Sequence, residues 1–293
     1  MQEIGYVATI GMFDGVHCGH QFVLQHVIDE AHQRGLLSMA ITFSHLHAPQ
    51  TLTPLDQKRL LLTKTGVDRI EVLTFDDALK QLTAREFMQQ VLRDRLGVKV
   101  LLTGYDNRFG HNRAEGFDDY VRYGKELGIE VKSLPPAPAK RNGICVSSSL
   151  IRELITHGNI REANELLGHP YTIAGSVEHG EHIGTKLGFP TANIVVDDQC
   201  QLIPSIGAYA VKIRMANCVE WKHGMMNIGT RPTFEGQRQT IEVHVFRLKE
   251  DLYGQQLQVA VMERLRGEQR FDNIEALKEQ LQQDAIEAER ILA

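Results

Sequence analysis

Long apolar runs, clustered cysteines and a large excess of one charge are all missing from this 293-residue sequence. No stretch approaches the ~18 apolar residues of a membrane-spanning helix, and the first residues lack the basic segment of a secretory signal. The four cysteines show no Cys-x-x-Cys spacing, which argues against a disulfide framework or a structural zinc site. A net charge of only −5 gives no reason to expect nucleic acid or a membrane as partner. We expect a cytoplasmic protein whose thiols stay reduced. We also expect a monomer or a weak homo-oligomer.

Apolar runs alternate with helical patterns in the first half of the chain. The runs predict strands at 6–10, 36–43, 70–74, 98–103 and 129–134. The helical spacing predicts helices at 20–35, 57–65, 83–96 and 117–128. Because these strands are apolar on both faces, we expect an α/β domain with a doubly wound parallel sheet that helices cover on both sides.

Two helices are predicted at 147–154 and 161–167. The pattern changes after Pro170, where strands are predicted at 208–215, 241–248 and 256–262. Short strands separated by turn residues favour a small antiparallel barrel or sandwich, followed by a helix whose capping box is Asp272 and Glu275. We predict two domains, 1–168 and 169–293, and expect the second to be a small antiparallel β-barrel with a C-terminal helix.

A glycine-rich turn joins the first predicted strand to the first predicted helix. It reads Gly-Met-Phe-Asp-Gly-Val-His-Cys-Gly-His from Gly11 to His20. Ligands of open parallel sheets bind outside the carboxyl ends of the strands, and the N-terminus of a helix attracts phosphate. His17 and His20 are three residues apart, so both imidazoles project to one side and can donate hydrogen bonds to phosphate oxygens. The spacing fits neither a Walker A loop nor a dinucleotide fingerprint.

This turn resembles the signature of the HxGH nucleotidyltransferase superfamily, whose members transfer a nucleotidyl group and release pyrophosphate. Two further segments are similar to loops of its FAD synthetase branch: Gly-Tyr-Asp-Asn-Arg-Phe-Gly at 104–110 and Ser-Ser-Ser-Leu-Ile-Arg at 147–152. The resemblance implies that His17 and His20 are catalytic residues that act on the triphosphate of ATP. It further implies ATP contacts at Gly11, Phe13, Asp14, Gly15, Ser148, Ser149 and Arg152, and flavin contacts at Asp106, Asn107 and Phe109.

The chain departs from that branch at three places. Asn107 stands where the family has Phe, and Ser149 replaces Thr but keeps the hydroxyl. In segment 42–49 the prolines are displaced from the family's Thr-Phe-x-Pro-His-Pro order. Either His45 or His47 therefore takes the position of the family's histidine, and the sequence leaves the choice open.

A second set of motifs lies in the β-rich half. Leu-Gly-Phe-Pro-Thr-Ala-Asn occupies 187–193, where Pro190 excludes a central strand. The hydroxyl of Thr191 and the amide of Asn193 are two residues apart on extended chain, so they point the same way. Further on, Glu242 lies on the polar face of an alternating strand, and the pattern alone favours a solvated edge carboxylate.

Segment 187–193 resembles the signature of riboflavin kinase, and segments 227–233, 242–244 and 251–254 match its later motifs in order. The resemblance implies that Glu242 is the general base for the terminal ribityl hydroxyl of riboflavin. It implies that Mg²⁺ and ATP are held by Gly188, Pro190, Thr191 and Asn193, with Thr191 and Asn193 as the metal ligands. The family's Gly-Arg pair is replaced by Gly-Thr-Lys at 184–186, so Lys186 supplies the charge or the phosphate contact is weaker.

Together, the two sets resemble the bifunctional bacterial riboflavin kinase/FAD synthetases. We predict that the second domain phosphorylates riboflavin to FMN, and that the first domain adenylylates FMN to FAD. ATP, riboflavin and FMN are then the small-molecule substrates, and Mg²⁺ is the cofactor. One alternative makes the second domain a flavin-binding module without kinase activity, which only Thr185 supports. Another is a nucleotidyltransferase for a different phosphorylated substrate.

Overall fold

The computed structural model describes residues 5–44, 50–104, 107–135, 145–179, 184, 188–216, 218–233, 236–248 and 250–293. They form two compact units. One takes in Met1–Ala48 and Thr53–Ser147, and the other takes in Pro49–Leu52 and Ser148–Ala293. Within the described residues, no helix has the length and apolar character needed to span a membrane.

The first unit alternates strands and helices. In chain order these are β1 (Tyr6–Ile10), α1 (Cys18–Arg34), β2 (Leu37–Phe43), α2 (Leu55–Lys64), β3 (Arg69–Leu73), α3 (Asp77–Gln81), α4 (Ala84–Glu86) continuing as a π-helix (Phe87–Arg95), β4 (Val98–Thr103), a 3₁₀ turn (His111–Arg113), α5 (Phe117–Leu127) and β5 (Glu130–Ser133). The strands form one parallel sheet in the order β3-β2-β1-β4-β5. The predicted α/β sheet is confirmed.

Strand β1 lies at the centre of this sheet because both of its faces are apolar. On one face Val7 packs in a cluster with Val27 of α1. On the other face Ala8 and Ile10 pack in a cluster with Met88 of the π-helix. Burial of each large apolar side chain stabilises the fold by about 1.5–3 kcal/mol, so β1 is firmly anchored. Its carboxyl end therefore presents the glycine-rich turn from a fixed position.

The second unit begins with two helices and continues as a barrel. Its elements are α6 (Ser148–His157), α7 (Ile160–Leu167), β6 (Tyr171–Glu178), β7 (Ala192–Val196), β8 (Gly207–Met215), β9 (Lys222–Thr233), β10 (Gly236–Val245), β11 (Gln256–Arg266) and α8 (Ile274–Leu292). The antiparallel strands close in the order β10-β7-β6-β11-β8-β9. Helix α8 covers part of the barrel, where Ala288 and Leu292 pack against Ala210 and Met225. The predicted barrel with a C-terminal helix is confirmed.

Two local predictions in this unit were wrong or incomplete. Asn273, rather than Asp272, caps α8, because its side chain accepts the N–H of Ala276 at 2.8 Å. Strands β6, β7 and β9 escaped prediction, and β9 shows why. A Cβ atom at Gly224 would lie 2.3 Å from the carbonyl oxygen of His244, so this close approach requires a glycine that interrupts the apolar alternation.

The side chain of Asn164 links helix α7 to the barrel. The amide nitrogen of Asn164 donates to the carbonyl oxygen of Val261 (2.9 Å), and its oxygen accepts the N–H of Tyr171 (2.7 Å). The two compact units separate after Ser147, whereas the sequence-based boundary falls after α7 at residue 168. That boundary stays a prediction.

Candidate active sites

The loop between β1 and α1 has an unusual backbone. Phe13 and Val16 have φ angles of 48° and 39°, in a region that favours glycine, and Gly15 has a φ of 86°. The side chains of Phe13 and Val16 are buried in a cluster with Leu24 and Ala40. Their apolar burial offsets the backbone strain, which fixes the conformation of the loop.

His17 and His20 come together at the start of α1. His17 is the N-cap, and its Nδ1 accepts the backbone N–H of His20 at 3.3 Å. The two rings stack with centroids 3.6 Å apart and an interplanar angle of 17°. Because Nδ1 of His17 accepts, the neutral ring carries its proton on Nε2. The helix starts at Cys18, two residues earlier than predicted, so both imidazoles lie where the helix dipole attracts anions.

The surroundings of the His20 ring favour its uncharged form. Burial lowers the pKa of His20 well below its usual value, and the charges of His17 and Lys58 lower it further. Its Nδ1 is buried and has no hydrogen-bond partner within the described part of the chain. The ring of Phe13 meets it edge-on, with centroids 5.3 Å apart. A buried ring nitrogen without a partner is costly, and a polar ligand atom would remove that cost.

Two contacts join this loop to the region of α2. The side chain of Asp14 accepts the N–H of Thr53 at 3.1 Å. The ammonium group of Lys58 donates to the carbonyl oxygens of Met12 (3.1 Å) and Phe43 (3.2 Å). Burial lowers the pKa of Lys58 to about 8, although Asp14 acts in the opposite direction. Sequence reasoning missed Lys58, because nothing in a helical pattern distinguishes a buried lysine from an exposed one.

Two of the predicted flavin contacts take part in packing. Asn107 donates from Nδ2 to the carbonyl oxygen of Ile10 and to Oγ1 of Thr103, both at 3.1 Å, and so joins the ends of β1 and β4. The buried ring of Phe109 stacks on Tyr120 with centroids 4.0 Å apart. Flavin binding by Asn107 and Phe109 therefore stays a prediction.

The predicted pyrophosphate group lies at the start of α6. Ser148 and Ser149 are in the first turn, and Nε of Arg152 donates to the carbonyl oxygen of Gln50 at 2.9 Å. These residues belong to the second compact unit, whereas His17 belongs to the first. Their joint action on one nucleotide stays a prediction. The same holds for the predicted positions that lie outside the described residues, namely His45, His47, Asp106, Thr185 and Lys186.

The second site is a polar row across neighbouring barrel strands. In the strand registers Glu242 of β10 lies between Asn193 of β7 and Asn227 of β9, and Asn193 is opposite Glu178 of β6. Thr191 donates from Oγ1 to Oε2 of Glu242 at 3.3 Å. The structure thus brings together three predicted residues from distant parts of the sequence. Sequence reasoning gave no role to Asn227, although it begins a matched motif, and it missed Glu178.

One close approach shapes the loop that carries Thr191. A Cβ atom at Gly184 would lie 2.3 Å from the carbonyl oxygen of Phe189 and 3.1 Å from Oγ1 of Thr191. Real side chains do not tolerate the first distance, so only glycine fits. The N–H of Phe189 also donates to the carbonyl oxygen of Gly184 at 2.9 Å. These contacts set the position of the Thr191 hydroxyl.

His244 supports the same loop from β10. Its Nδ1 donates to the carbonyl oxygen of Pro190 at 2.7 Å, and its ring meets Phe189 edge-on with centroids 5.4 Å apart. Gly188 makes the turn before Phe189 with a φ of 85°. The predicted residues Gly188 and Pro190 therefore hold the loop in place, and His244 shares the polar face of β10 with Glu242.

The polar row at Thr191 offers oxygen atoms of the kind that Mg²⁺ prefers as ligands. These are the Thr191 hydroxyl and the Glu242 carboxylate, and Asn193 lies opposite Glu242 in the strand register. Among the described residues, no group of three or more His, Cys, Asp or Glu side chains could hold a metal ion. The hydroxyl and carboxylate oxygens at this site fit Mg²⁺ by their chemistry.

The chain matches two family models, and each covers one of these sites. The FAD synthetase model matches residues 1–150, and the riboflavin kinase model matches residues 167–292. A relative from Escherichia coli strain K12 is 38% identical over 97% of this chain and 92% of its own length. One from Haemophilus influenzae is 36% identical, over 96% of this chain and 92% of its own. Both are named bifunctional riboflavin kinase/FMN adenylyltransferase. This chain belongs to that family.

A solved structure shares the fold over nearly the full length. It is a crystal structure described as a macrolide-efflux protein from Streptococcus pneumoniae, with a TM-score of 0.86 and 28% identity. The likeness covers 97% of this chain and 93% of that protein. In family terms, His17 and His20 lie in the FAD synthetase segment, and Thr191 and Glu242 lie in the riboflavin kinase segment.

Proposed function

We infer that this chain is a bifunctional enzyme that makes both flavin cofactors. It phosphorylates riboflavin with ATP to give FMN, and it adenylylates FMN with a second ATP to give FAD and pyrophosphate. The observation that carries this conclusion is that each family segment holds its own group of converging polar side chains. His17 stacks on His20 in one, and Thr191 contacts Glu242 in the other.

In the kinase step, Glu242 is proposed to be the general base. Its carboxylate would take the proton from the terminal hydroxyl of riboflavin as that oxygen attacks the γ-phosphorus of ATP, the bond from the γ-phosphorus to the bridging oxygen breaks, and ADP leaves. The Thr191 hydroxyl donates to the same carboxylate and so fixes its orientation. When Mg²⁺ is bound, it neutralises charge on the phosphates; Thr191 and Asn193 would hold it.

In the adenylylation step, a phosphate oxygen of FMN attacks the α-phosphorus of ATP, and pyrophosphate leaves. No covalent intermediate is needed, so positioning and charge stabilisation supply most of the catalysis. We propose that His17 and His20 donate hydrogen bonds to the triphosphate as negative charge builds up. The neutral state of His20 suits this role, because an uncharged imidazole still has one N–H to donate.

The alternative of a flavin-binding module without kinase activity has no support. The riboflavin kinase model covers residues 167–292, and the relatives are named as bifunctional over nearly the whole chain. A nucleotidyltransferase for some other phosphorylated substrate is likewise disfavoured by the FAD synthetase match.

Product analysis tests both activities in one experiment. The full chain is incubated with riboflavin, ATP and Mg²⁺, and the flavins are separated by liquid chromatography. FMN should appear first and FAD second, and chelation of Mg²⁺ should stop both steps. Unchanged riboflavin would refute the kinase. Supplied FMN that yields no FAD would refute the adenylyltransferase.

Three finer points complete the proposal. We propose a cytoplasmic location, because the four cysteines are scattered without the spacing of a disulfide framework, and a reducing compartment keeps such thiols reduced. We propose a monomer or weak homo-oligomer, which sedimentation of the purified chain tests. We also propose the domains 1–168 and 169–293. A protease site inserted after residue 168 or after residue 147 tests this boundary. If the boundary is at 168, cleavage there should leave two folded fragments, whereas a boundary at 147 requires α7 to stay covalently linked to the barrel.

A further inference from the structure

Lys58 is a charged residue in an unusual place. It lies on α2, and its side chain has no exposed surface. Lysine is almost never fully buried unless its ammonium group has partners. Two of its partners are backbone carbonyl groups, those of Met12 and Phe43.

These two carbonyl groups belong to the ends of two neighbouring strands. Phe43 is the last residue of β2, and Met12 lies two residues after the end of β1, in the loop that leads to His17. Oγ1 of Thr42 also donates to the Met12 carbonyl at 3.2 Å. The ammonium group of Lys58 therefore bridges the end of β2 and the loop between β1 and α1.

Asp14, two residues after Met12 in the loop, is also held by a residue close to α2. Asp14 accepts the N–H of Thr53, which lies just before α2. The loop is thus fixed at Met12 by Lys58 and at Asp14 by Thr53. Between these two points lies Phe13, whose backbone has a positive φ and whose ring meets that of His20.

Lys58 interacts electrostatically with residues of the proposed adenylyltransferase site. Burial lowers the pKa of Lys58 to about 8, and Asp14 opposes that shift. In turn, the charge of Lys58 helps to lower the pKa of His20, as does His17. A buried cation is costly compared with an apolar side chain of similar volume, so its retention here calls for a functional reason.

We propose that Lys58 is a positioning residue for FMN adenylylation, which joins the Met12 and Phe43 carbonyl groups and so holds the loop that carries His17 and His20. This inference rests on the proposed adenylyltransferase activity. Lys58 acts through the loop and through the charge state of His20, and the proposal requires no contact with substrate.

The test replaces Lys58 by methionine, which fills a similar volume but donates no hydrogen bond and carries no charge. Lys64→Met is the matched control, since Lys64 is an exposed residue of the same helix. In the full chain, Lys58→Met should lower kcat for FAD formation from FMN at least tenfold. FMN formation from riboflavin should stay within twofold of the parent, and Lys64→Met should leave both rates unchanged.

A second control separates positioning from loss of stability. Val100→Ala removes buried volume from the cluster on one face of the sheet, and that cluster includes no residue of the loop between β1 and α1. Both variants are followed by thermal unfolding. If Lys58→Met loses no more activity than a Val100→Ala variant of equal melting temperature, the proposal is overturned.

The pH profile gives a readout that a merely structural role would not move. Within the described part of the chain, the titratable groups that act on Lys58 and His20 are Asp14 and His17. FAD formation by the parent enzyme should decline as the pH rises through about 8, because Lys58 then loses its proton. Lys58→Arg keeps its charge at every accessible pH, so any activity it retains should lack this decline. An identical alkaline decline in the parent, Lys58→Met and Lys58→Arg would overturn the proposal. If the parent made no FAD at all, the proposed function would fail instead.

Discussion

Replacing Glu242 by glutamine removes the proposed base and little else. Glutamine has almost the same shape, and its amide oxygen can still accept the hydrogen bond from Thr191. The register of β10 with Asn193 and Asn227 depends on backbone groups and is unaffected. We therefore expect the stability of the protein to change by no more than about 0.5 kcal/mol, as for other substitutions that create no cavity and bury no unpaired charge.

The expected loss of kinase activity is large. A neutral amide cannot take up the proton of the ribityl hydroxyl, and general-base catalysis contributes about 10²- to 10⁴-fold. That range corresponds to a barrier increase of about 2.7–5.4 kcal/mol. FMN formation should fall by this factor at saturating riboflavin and ATP, with the change in kcat rather than in KM.

The same chain supplies the control for Glu242→Gln. Formation of FAD from supplied FMN should proceed at the parent rate, because Glu242 lies in the riboflavin kinase segment and His17 in the other. Chromatography of the flavins measures both rates in one preparation. A variant that keeps more than about a tenth of the kinase activity would show that Glu242 is not the base, since general-base catalysis is worth at least ~100-fold.

Three further substitutions probe the supports of the two sites. His17→Ala should lower FAD formation by about 10²-fold or more, with the kinase spared, because it removes a phosphate donor together with the cap of α1; equal loss of both activities in folded protein would contradict this. Gly184→Ala should lower kinase activity by at least about tenfold, because the new Cβ would displace the carbonyl of Phe189 and with it the loop, and FAD formation from FMN is the control. Tyr120→Phe should destabilise the protein by about 1–3 kcal/mol in thermal unfolding, since the buried N–H of Phe109 loses its partner; an unchanged melting temperature would show that another group replaces the hydroxyl.

The fold of the first unit was predictable because its signal is local. Strands β1 and β2 are apolar on both faces, and the helices between them follow a helical period that glycine ends, as at Gly35. The barrel was harder to predict. Strand β9 contains Gly224 and Gly229, and the close approach at Gly224 is a property of the paired strand rather than of its own sequence.

The sites divide in the same way. The motif that carries His17 and His20 was visible in the sequence, and so was Thr191 with Asn193. Their arrangement was not. The contact of Thr191 with Glu242 depends on the pairing of β10 with β7, which no spacing in the sequence shows. For Glu242 the resemblance to riboflavin kinase outweighed the residue pattern, which alone favoured a solvated carboxylate.

The residues hardest to predict are those that support the sites without belonging to a motif. Lys58 looks like any other helical lysine, and only the tertiary structure shows that its ammonium group is buried against two carbonyl groups. His244 likewise looks like an ordinary polar-face residue, until the structure shows it donating to Pro190. Each of these contacts lies within one compact unit, so each support should affect one activity alone. That expectation makes the second activity of the same polypeptide the natural control for every variant of the first.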